Sequence, residues 1–275
     1  MRSSPRRFAR VAAALLAASS LGAAAADIDA LWEYGDPAAS EARFRAALVT
    51  ASGDDRLELL TQLARTDSLR GRFAEAHRVL EEVARELPHA KGPRPRLRYL
   101  LERGRTWNSA HEVAHARPLF IEAWEAAREA NEEGLAVDAA HMVAITGSGT
   151  EQGLEWNRRG LALANASRDA KARSLIPAML NNSAWDLQAL GRREEALSTF
   201  EAAERAWSAR GGARQVAIAK WSVAYCLRSL DRPRAALVIL APLASARASD
   251  TQLRRDVLEE IALDALAVAG LGVAR

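Results

Sequence analysis

The feature that most constrains this chain is a pattern of small and large apolar residues that recurs about every 40 residues. Its clearest copy follows Gly191 and consists of Ala196, Phe200 and Ala203. Residues three or four positions apart lie on the same face of a helix, so these three side chains form one stripe. A lone helix hairpin cannot bury such a stripe, whereas stacked hairpins bury one continuous core. The pattern therefore predicts an all-α solenoid.

Five copies of the pattern can be aligned on the first small residue of each second helix. These residues are Ala76, Ala116, Gly153, Ala196 and Ala236. The third copy is degenerate, because Asn157 stands where the other copies place a large apolar residue. The sequence therefore predicts about five helix hairpins over residues 57–246 in a single domain, 27–275. Segments 27–55 and 251–275 are predicted to cap the two open ends, as solenoids require.

Two segments of the chain resemble tetratricopeptide repeats. They are LARTDSLRGRFAEAHRVLEEVARELP and NNSAWDLQALGRREEALSTFEAAERAW. The resemblance extends over roughly residues 57–246 and implies a right-handed α-solenoid of helix hairpins. It also implies that the first helix of each hairpin lines a concave face, and that this face binds extended peptides or partner proteins. Protein or peptide partners are therefore expected.

The candidate binding residues are those that remain on the first helices once the packing positions are removed. They are amides, aromatic residues and arginines, which suit an extended peptide: amides bond the peptide backbone, aromatic side chains anchor interfaces, and arginine binds carboxylates. Packing between hairpins is the alternative role for Trp185 and Trp221. The predicted set is Arg105, Asn108, Asn181, Trp185, Gln188, Trp221, Tyr225 and Arg228, with Arg65, Arg98, Asp138 and Met142 also left on this face.

An H-E-x-x-H motif runs from His111 to His115. On a helix this spacing places two imidazoles on one face, where they can bind zinc, with Glu132 or Glu133 as a third ligand. The motif falls across a predicted turn, however, and Pro118 disfavours a helix long enough to hold both histidines. We therefore expect no catalysis and no cofactor, and a zinc-dependent hydrolase is the alternative.

Residues 1–26 have the features of a secretory signal. A basic start precedes an apolar stretch, Val11–Leu21, and several alanines lead up to Asp27. The apolar stretch is shorter than the ~20 residues that span a bilayer, which disfavours the alternative of a membrane anchor. We expect cleavage between Ala26 and Asp27 and a periplasmic or extracellular mature chain.

The charge of the chain depends on this segment. The full sequence has 38 Lys and Arg against 35 Asp and Glu, but the predicted signal contains four arginines and no acid, so the mature chain has a net charge of about −1. A globally basic nucleic-acid binder is therefore disfavoured. Peripheral membrane association and oligomerisation remain open, and a purely structural, self-associating role is a second alternative. Cys226 is the only cysteine, and we expect it to be buried.

Overall fold

The computed structural model describes residues 28–33, 35–245 and 251–269. The predicted signal, 1–26, and the last residues of the predicted C-terminal cap, 270–275, lie outside this part of the chain. Within it there are thirteen α-helices and no β-strand, so the all-α prediction is confirmed. None of the described helices combines the length and the apolar character needed to cross a lipid bilayer.

The helices pair into five hairpins that stack in chain order. The helices are α1 Pro37–Leu48, α2 Gly53–Leu69, α3 Phe73–Glu86, α4 Arg94–Ser109, α5 Val113–Glu129, α6 Glu133–Ile145, α7 Glu151–Ala166, α8 Ala170–Ser174, α9 Ile176–Ala189, α10 Arg193–Arg210, α11 Ala213–Ser229, α12 Pro233–Ser245 and α13 Thr251–Val268, with short 3-10 helices at Ile28–Leu31 and Leu87–His89.

The five hairpins are the helix pairs α2–α3, α4–α5, α6–α7, α9–α10 and α11–α12. At the two ends, α1 packs on α2 and α13 packs on α12. The predicted solenoid of five hairpins with terminal helices is therefore confirmed.

A small residue in each first helix allows the second helix to approach closely. These residues recur every 40 positions and are Ala64, Gly104, Ala144, Ala184 and Ala224. The need for a small side chain is plainest at Gly104, where an added Cβ would lie 2.4 Å from the ring of Phe120. Phe120 is fully buried, as are Leu80, Phe200 and Leu240 at the equivalent positions of other second helices. Small and large residues thus interlock in these hairpins.

The turn inside a hairpin repeats as faithfully as the core. In four hairpins, one residue of the turn has a positive φ. This residue adopts the left-handed conformation that commonly ends a helix. The next residue then donates its amide to the carbonyl five positions earlier, at 2.9 Å in every case. The four turn residues are Gly71, His111, Gly191 and Asp231. The repeat is therefore a property of the backbone as well as of the side chains.

The third hairpin replaces an apolar contact with a polar one. Asn157 is buried, and its Nδ2 donates to Asp186 Oδ2 at 3.0 Å. Asp186 Oδ1 also accepts the amide of Gly149 at 2.7 Å. Burial raises the pKa of Asp186, and these hydrogen bonds oppose that rise. Gly160 leaves room for Met179, whose Cε would lie 2.2 Å from an added Cβ. This polar joint between α7 and α9 accounts for the degenerate third copy.

We predict that Gly104→Ala destabilises the fold by about 1–3 kcal/mol, because the new methyl group must displace the ring of a fully buried phenylalanine. Thermal denaturation followed by circular dichroism measures the effect. Gly35→Ala is the matched control, since an added Cβ there meets no atom within 4 Å. Equal melting temperatures for the two variants would contradict the proposed helix contact.

Candidate partner-binding surface

Side chains of the first helices α2, α4, α6, α9 and α11 contact one another from each hairpin to the next, as in the pairs Glu58–Arg98, Arg105–Asp138, His141–Asn182 and Trp185–Tyr225. We call the face that these helices share the inner surface. It has two chemically different parts. The charged half is formed by α2, α4 and α6 and contains Glu58, Arg65, Arg98, Glu102, Arg105 and Asp138; the aromatic half is formed by α9 and α11 and contains Trp185, Trp221 and Tyr225. Of the predicted binding residues, Arg105 and Asn108 lie on α4, and the other six lie on α9 and α11.

Three aromatic rings meet in the aromatic half. The ring centroid of Trp185 lies 6.1 Å from Trp221 and 5.1 Å from Tyr225, and the last two are 5.7 Å apart. Trp185 also packs edge-on against Phe200 at 5.0 Å, so it contributes to the core of its own hairpin. All three rings are only partly buried, and each keeps some exposed surface. They therefore combine a packing role with an apolar patch that is open to a partner.

Two amides accompany this patch. Asn181 precedes Trp185 by one helical turn, and its buried Oδ1 accepts no hydrogen bond from any described residue. Gln188 Oε1 lies 3.5 Å from the Sγ of Cys226. Cys226 is fully buried, as expected, and burial raises the pKa of its thiol. The carbonyl of Asn181 is therefore an unpaired hydrogen-bond acceptor beside the patch.

The terminal helix α13 closes one side of the aromatic half. The guanidinium of Arg228 lies 5.4 Å from the ring centre of Tyr225 and donates to both carboxylate oxygens of Glu260 on α13. The indole of Trp221 donates to the carbonyl of Asp256 at 3.3 Å. Arg228, predicted from the sequence as a partner contact, is therefore already held by an acid of the same chain.

A second acid of α13 lies beside this ion pair. Asp264 is fully buried, no described residue donates a hydrogen bond to its carboxylate, and Arg228 Nε is 3.8 Å away. Burial and the nearby charge of Glu260 raise the pKa of Asp264 from 3.8 to about 7, and Arg228 only partly offsets this. The folded chain thus holds a proton that the unfolded chain releases at lower pH. Stability falls between these two pKa values as the pH rises.

We predict that Asp264→Asn raises the free energy of unfolding at pH 8 by about 1–3 kcal/mol, because it removes a buried charge that lacks a hydrogen bond. At pH 4 the two proteins should be almost equally stable. Urea denaturation of both at each pH measures the difference. A stabilisation that is the same at pH 4 and pH 8 would contradict the assignment of the proton to Asp264.

In the charged half, Arg105 is a member of a buried ion network. Its Nη1 donates to Glu102 Oε1 at 2.7 Å and its Nη2 donates to Asp138 Oδ1 at 2.5 Å. Burial alone would raise the pKa of Asp138, but Arg105, with Lys171 and Arg65, outweighs it and holds that pKa well below its ordinary value. A partner could therefore reach Arg105 only by breaking a strong pair.

Asn108 lies near the end of α4 and is partly buried. Its carbonyl accepts the amide of His111 at 3.0 Å, as part of the turn that ends this helix. The structure therefore separates Asn108 from the aromatic patch, which lies on α9 and α11.

The ion network continues toward the chain's beginning. Arg98 donates to Glu58 at 2.6 Å and to Asp29 at 3.1 Å, and the other oxygen of Asp29 accepts from Lys171 Nζ at 2.6 Å. Glu58, Asp29 and Lys171 are not among the residues predicted from the sequence for the inner surface. One available signal was the 40-residue spacing between Glu58 and Arg98, which places them on adjacent first helices.

The H-E-x-x-H motif does not lie on one helix. α5 begins at Val113, and His111 precedes it with a φ of 64° in the turn. His115 lies in the first turn of α5, with its ring 5.1 Å from that of Trp107. The described residues contain no group of three or more His, Cys, Asp or Glu side chains arranged to hold a metal ion. The helical geometry that zinc binding would require is therefore absent from this motif.

We predict that His111→Gly stabilises the protein by up to about 1 kcal/mol, because glycine adopts the left-handed conformation of this turn without strain. The melting temperature should rise and should not respond to added zinc. His115→Ala, which changes the other histidine of the motif, is the comparison and should give no such rise. A lower melting temperature for His111→Gly, or stabilisation of the wild type by zinc, would contradict a turn role.

Comparison with known proteins finds no matching family model and no matching curated protein. Several solved structures share the fold. A STAND signal-transduction ATPase with a tetratricopeptide repeat sensor from Pyrococcus horikoshii matches 85% of this chain and 38% of its own, at a TM-score of 0.68 and 13% identity. A kinesin light chain with TPR-like repeats from Podospora anserina matches 79% of this chain and 99% of its own, at a TM-score of 0.54 and 16% identity.

The quorum sensor NprR from B. thuringiensis is also similar. Its apo form matches 86% of this chain and 64% of its own, at a TM-score of 0.63 and 12% identity. The structure of NprR in complex with its cognate peptide NprX matches 84% of this chain and 68% of its own, at a TM-score of 0.54 and 14% identity. This chain therefore spans well under two thirds of the STAND protein and just under two thirds of apo NprR. At these identities the likeness lies in the fold, which is TPR-like.

Proposed function

We propose that this chain is an exported, non-catalytic scaffold that binds a peptide or protein partner on its inner surface. The observation that carries the proposal is the cluster of Trp185, Trp221 and Tyr225, whose partly exposed rings meet at one place on that surface. Clustered aromatic side chains are the residues that most often dominate binding energy. The fold supports the same class of partner, since NprR, which shares it, binds its cognate peptide NprX.

An extended peptide suits the aromatic half better than a folded surface does. The rings offer apolar contact for one or two side chains, and the unpaired Oδ1 of Asn181 offers an acceptor for a backbone N–H. In the free protein this buried acceptor lacks a hydrogen bond, which costs free energy. A bound peptide that donates an N–H to it would remove that cost. We therefore place the peptide along α9 and α11, with Gln188 beside it.

We propose no catalytic role, because the histidines of the H-E-x-x-H motif are divided between a turn and a helix. The cationic side chains predicted for the site, Arg105 and Arg228, bind acids of the same chain. Partner binding in the aromatic half would then rest on aromatic and amide contacts, and it should depend only weakly on salt.

Export rests on the sequence of residues 1–26, with its basic start, apolar stretch and terminal alanines. Sequencing the amino terminus of the chain recovered from the cell envelope or the medium tests this directly. A mature chain that begins at Asp27 would support export, whereas an uncleaved chain confined to the cytoplasm would contradict it.

Site-specific photo-cross-linking tests the binding surface. We expect a benzophenone amino acid in place of Tyr225 to capture a defined partner from the native cell envelope, because this ring lies in the proposed patch. The same amino acid in place of Val238 is the control, since this side chain is 75% exposed on the second helix α12. Equal capture of the same proteins at both positions would contradict the proposal.

We further predict that Tyr225→Ala weakens binding of the captured partner more than tenfold, as expected for a central aromatic anchor. Isothermal titration calorimetry measures the change, and circular dichroism checks that the variant is folded. Tyr225 is preferred to Arg228 for this test, because Arg228→Ala would leave the buried carboxylate of Glu260 without its cation. An unchanged affinity would place the partner elsewhere.

A further inference from the structure

The chain's first described residues lie on the charged half of the inner surface. Trp32, which follows the short 3-10 helix Ile28–Leu31, is only 8% exposed. Its Nε1 donates to Gln62 Oε1 at 2.9 Å, and the guanidinium of Arg65 lies 5.2 Å from the centre of its ring. The ring of Phe44 meets it edge-on at 5.1 Å. A single aromatic side chain is thus held by apolar, hydrogen-bond and cation–π contacts at once.

The acid three positions earlier is bound just as specifically. Asp29 accepts from Arg98 Nη2 at 3.1 Å and from Lys171 Nζ at 2.6 Å. These cations belong to α4 and α8, so one carboxylate joins two separate parts of the solenoid. Burial tends to raise the pKa of Asp29, but the two cations outweigh it and lower that pKa. Asp29 therefore binds as an anion.

The surrounding charges explain why a carboxylate occupies this place. The cations that meet here are Arg94, Arg98 and Lys171, and the acids fixed in α2 and beside α6 are Glu58 and Glu132. Asp29 supplies the third negative charge. Without it, Arg98 would keep only Glu58 and Lys171 only the nearby charge of Asp138, and removing one partner of a buried ion network is costly. The site therefore favours an anionic occupant.

These contacts have the form in which short linear segments are recognised, with two anchoring side chains on one turn of backbone. Building on the proposed function, we propose that residues 28–32 occupy in cis a second peptide site in the charged half. This site accepts partner segments that carry a carboxylate three residues before an aromatic side chain. Such a partner must displace the chain's own segment, which makes binding self-inhibited.

The probe for this site is the segment itself, as a fluorescent acetyl-IDALWE-amide peptide. Its affinity for the purified full chain is measured by fluorescence anisotropy with the wild type, Trp32→Ala and Asp29→Asn. Each substitution weakens the cis contact, so we expect the probe to bind each variant at least tenfold more tightly than the wild type. The same peptide with asparagine in place of the aspartate should bind at least tenfold more weakly.

A second pair of variants locates the probe. In the Trp32→Ala background, Lys171→Ala should weaken probe binding at least fivefold, because it removes one of the two cations that hold the carboxylate. Lys91→Ala is the matched control, an exposed lysine on the loop before α4, and should have no effect. Equal losses for the two lysine variants would overturn the proposed site.

Other outcomes also decide the matter. If Trp32→Ala fails to fold, Asp29→Asn decides alone, since it leaves Trp32 and its apolar contacts intact. Folded variants that bind the probe no better than the wild type would overturn the proposal. A wild-type dimer that becomes monomeric in Trp32→Ala, measured by light scattering, would mean that the segment binds a second copy, which overturns the cis assignment.

The experiment is independent of the test of the proposed function. If the probe fails while capture at Tyr225 succeeds, only the cis site is wrong. If the probe binds as expected while capture at Tyr225 fails, the chain binds peptides through the charged half, and the aromatic half is not the partner site.

Discussion

The close approach of the two helices in each hairpin is the contact on which the rest of this structure depends. Gly104 leaves the space that the ring of Phe120 fills, and alanines stand at the equivalent places in the other first helices. The small residue recurs in all five hairpins at intervals of 40 residues, and the large residue recurs in four of them as Leu80, Phe120, Phe200 and Leu240. Side chains 40 residues apart then lie side by side, so a single repeated packing rule creates a continuous inner surface.

The same backbone frame supports two kinds of chemistry along that surface. At equivalent positions, Arg65 and Arg105 of the charged half give way to Trp185 and Tyr225 of the aromatic half. Both arginines pair with Glu102, which lies on the same helix as Arg105, and Arg105 also pairs with Asp138 of the next first helix. The aromatic rings pack against one another, and each keeps some exposed surface. All four side chains are partly buried, so the change along the surface is one of contact type: the arginines are paired with acids, whereas the rings contact one another.

The repeat architecture could be predicted from the sequence because its cause is local. Ala196, Phe200 and Ala203 define a helical face within eight residues. Whether the predicted binding residues are already paired with groups of the same chain could not be predicted from local sequence. Arg228 is paired with Glu260 on the terminal helix, and Asp29 is paired with Lys171, which is 142 residues away in the sequence. Such pairs depend on where helices distant in the sequence lie in the assembled solenoid, which no periodicity in the sequence encodes.

The polar joint formed by Asn157 and Asp186 has a consequence for how the molecule comes apart. A stack of hairpins behaves as a one-dimensional array, whose cooperativity depends on the strength of each nearest-neighbour interface. Here one interface exchanges apolar contact for a buried amide and a carboxylate whose pKa is raised by burial. We expect an array with one polar coupling to divide there first, with the three hairpins before the joint and the two after it as separate units of local unfolding.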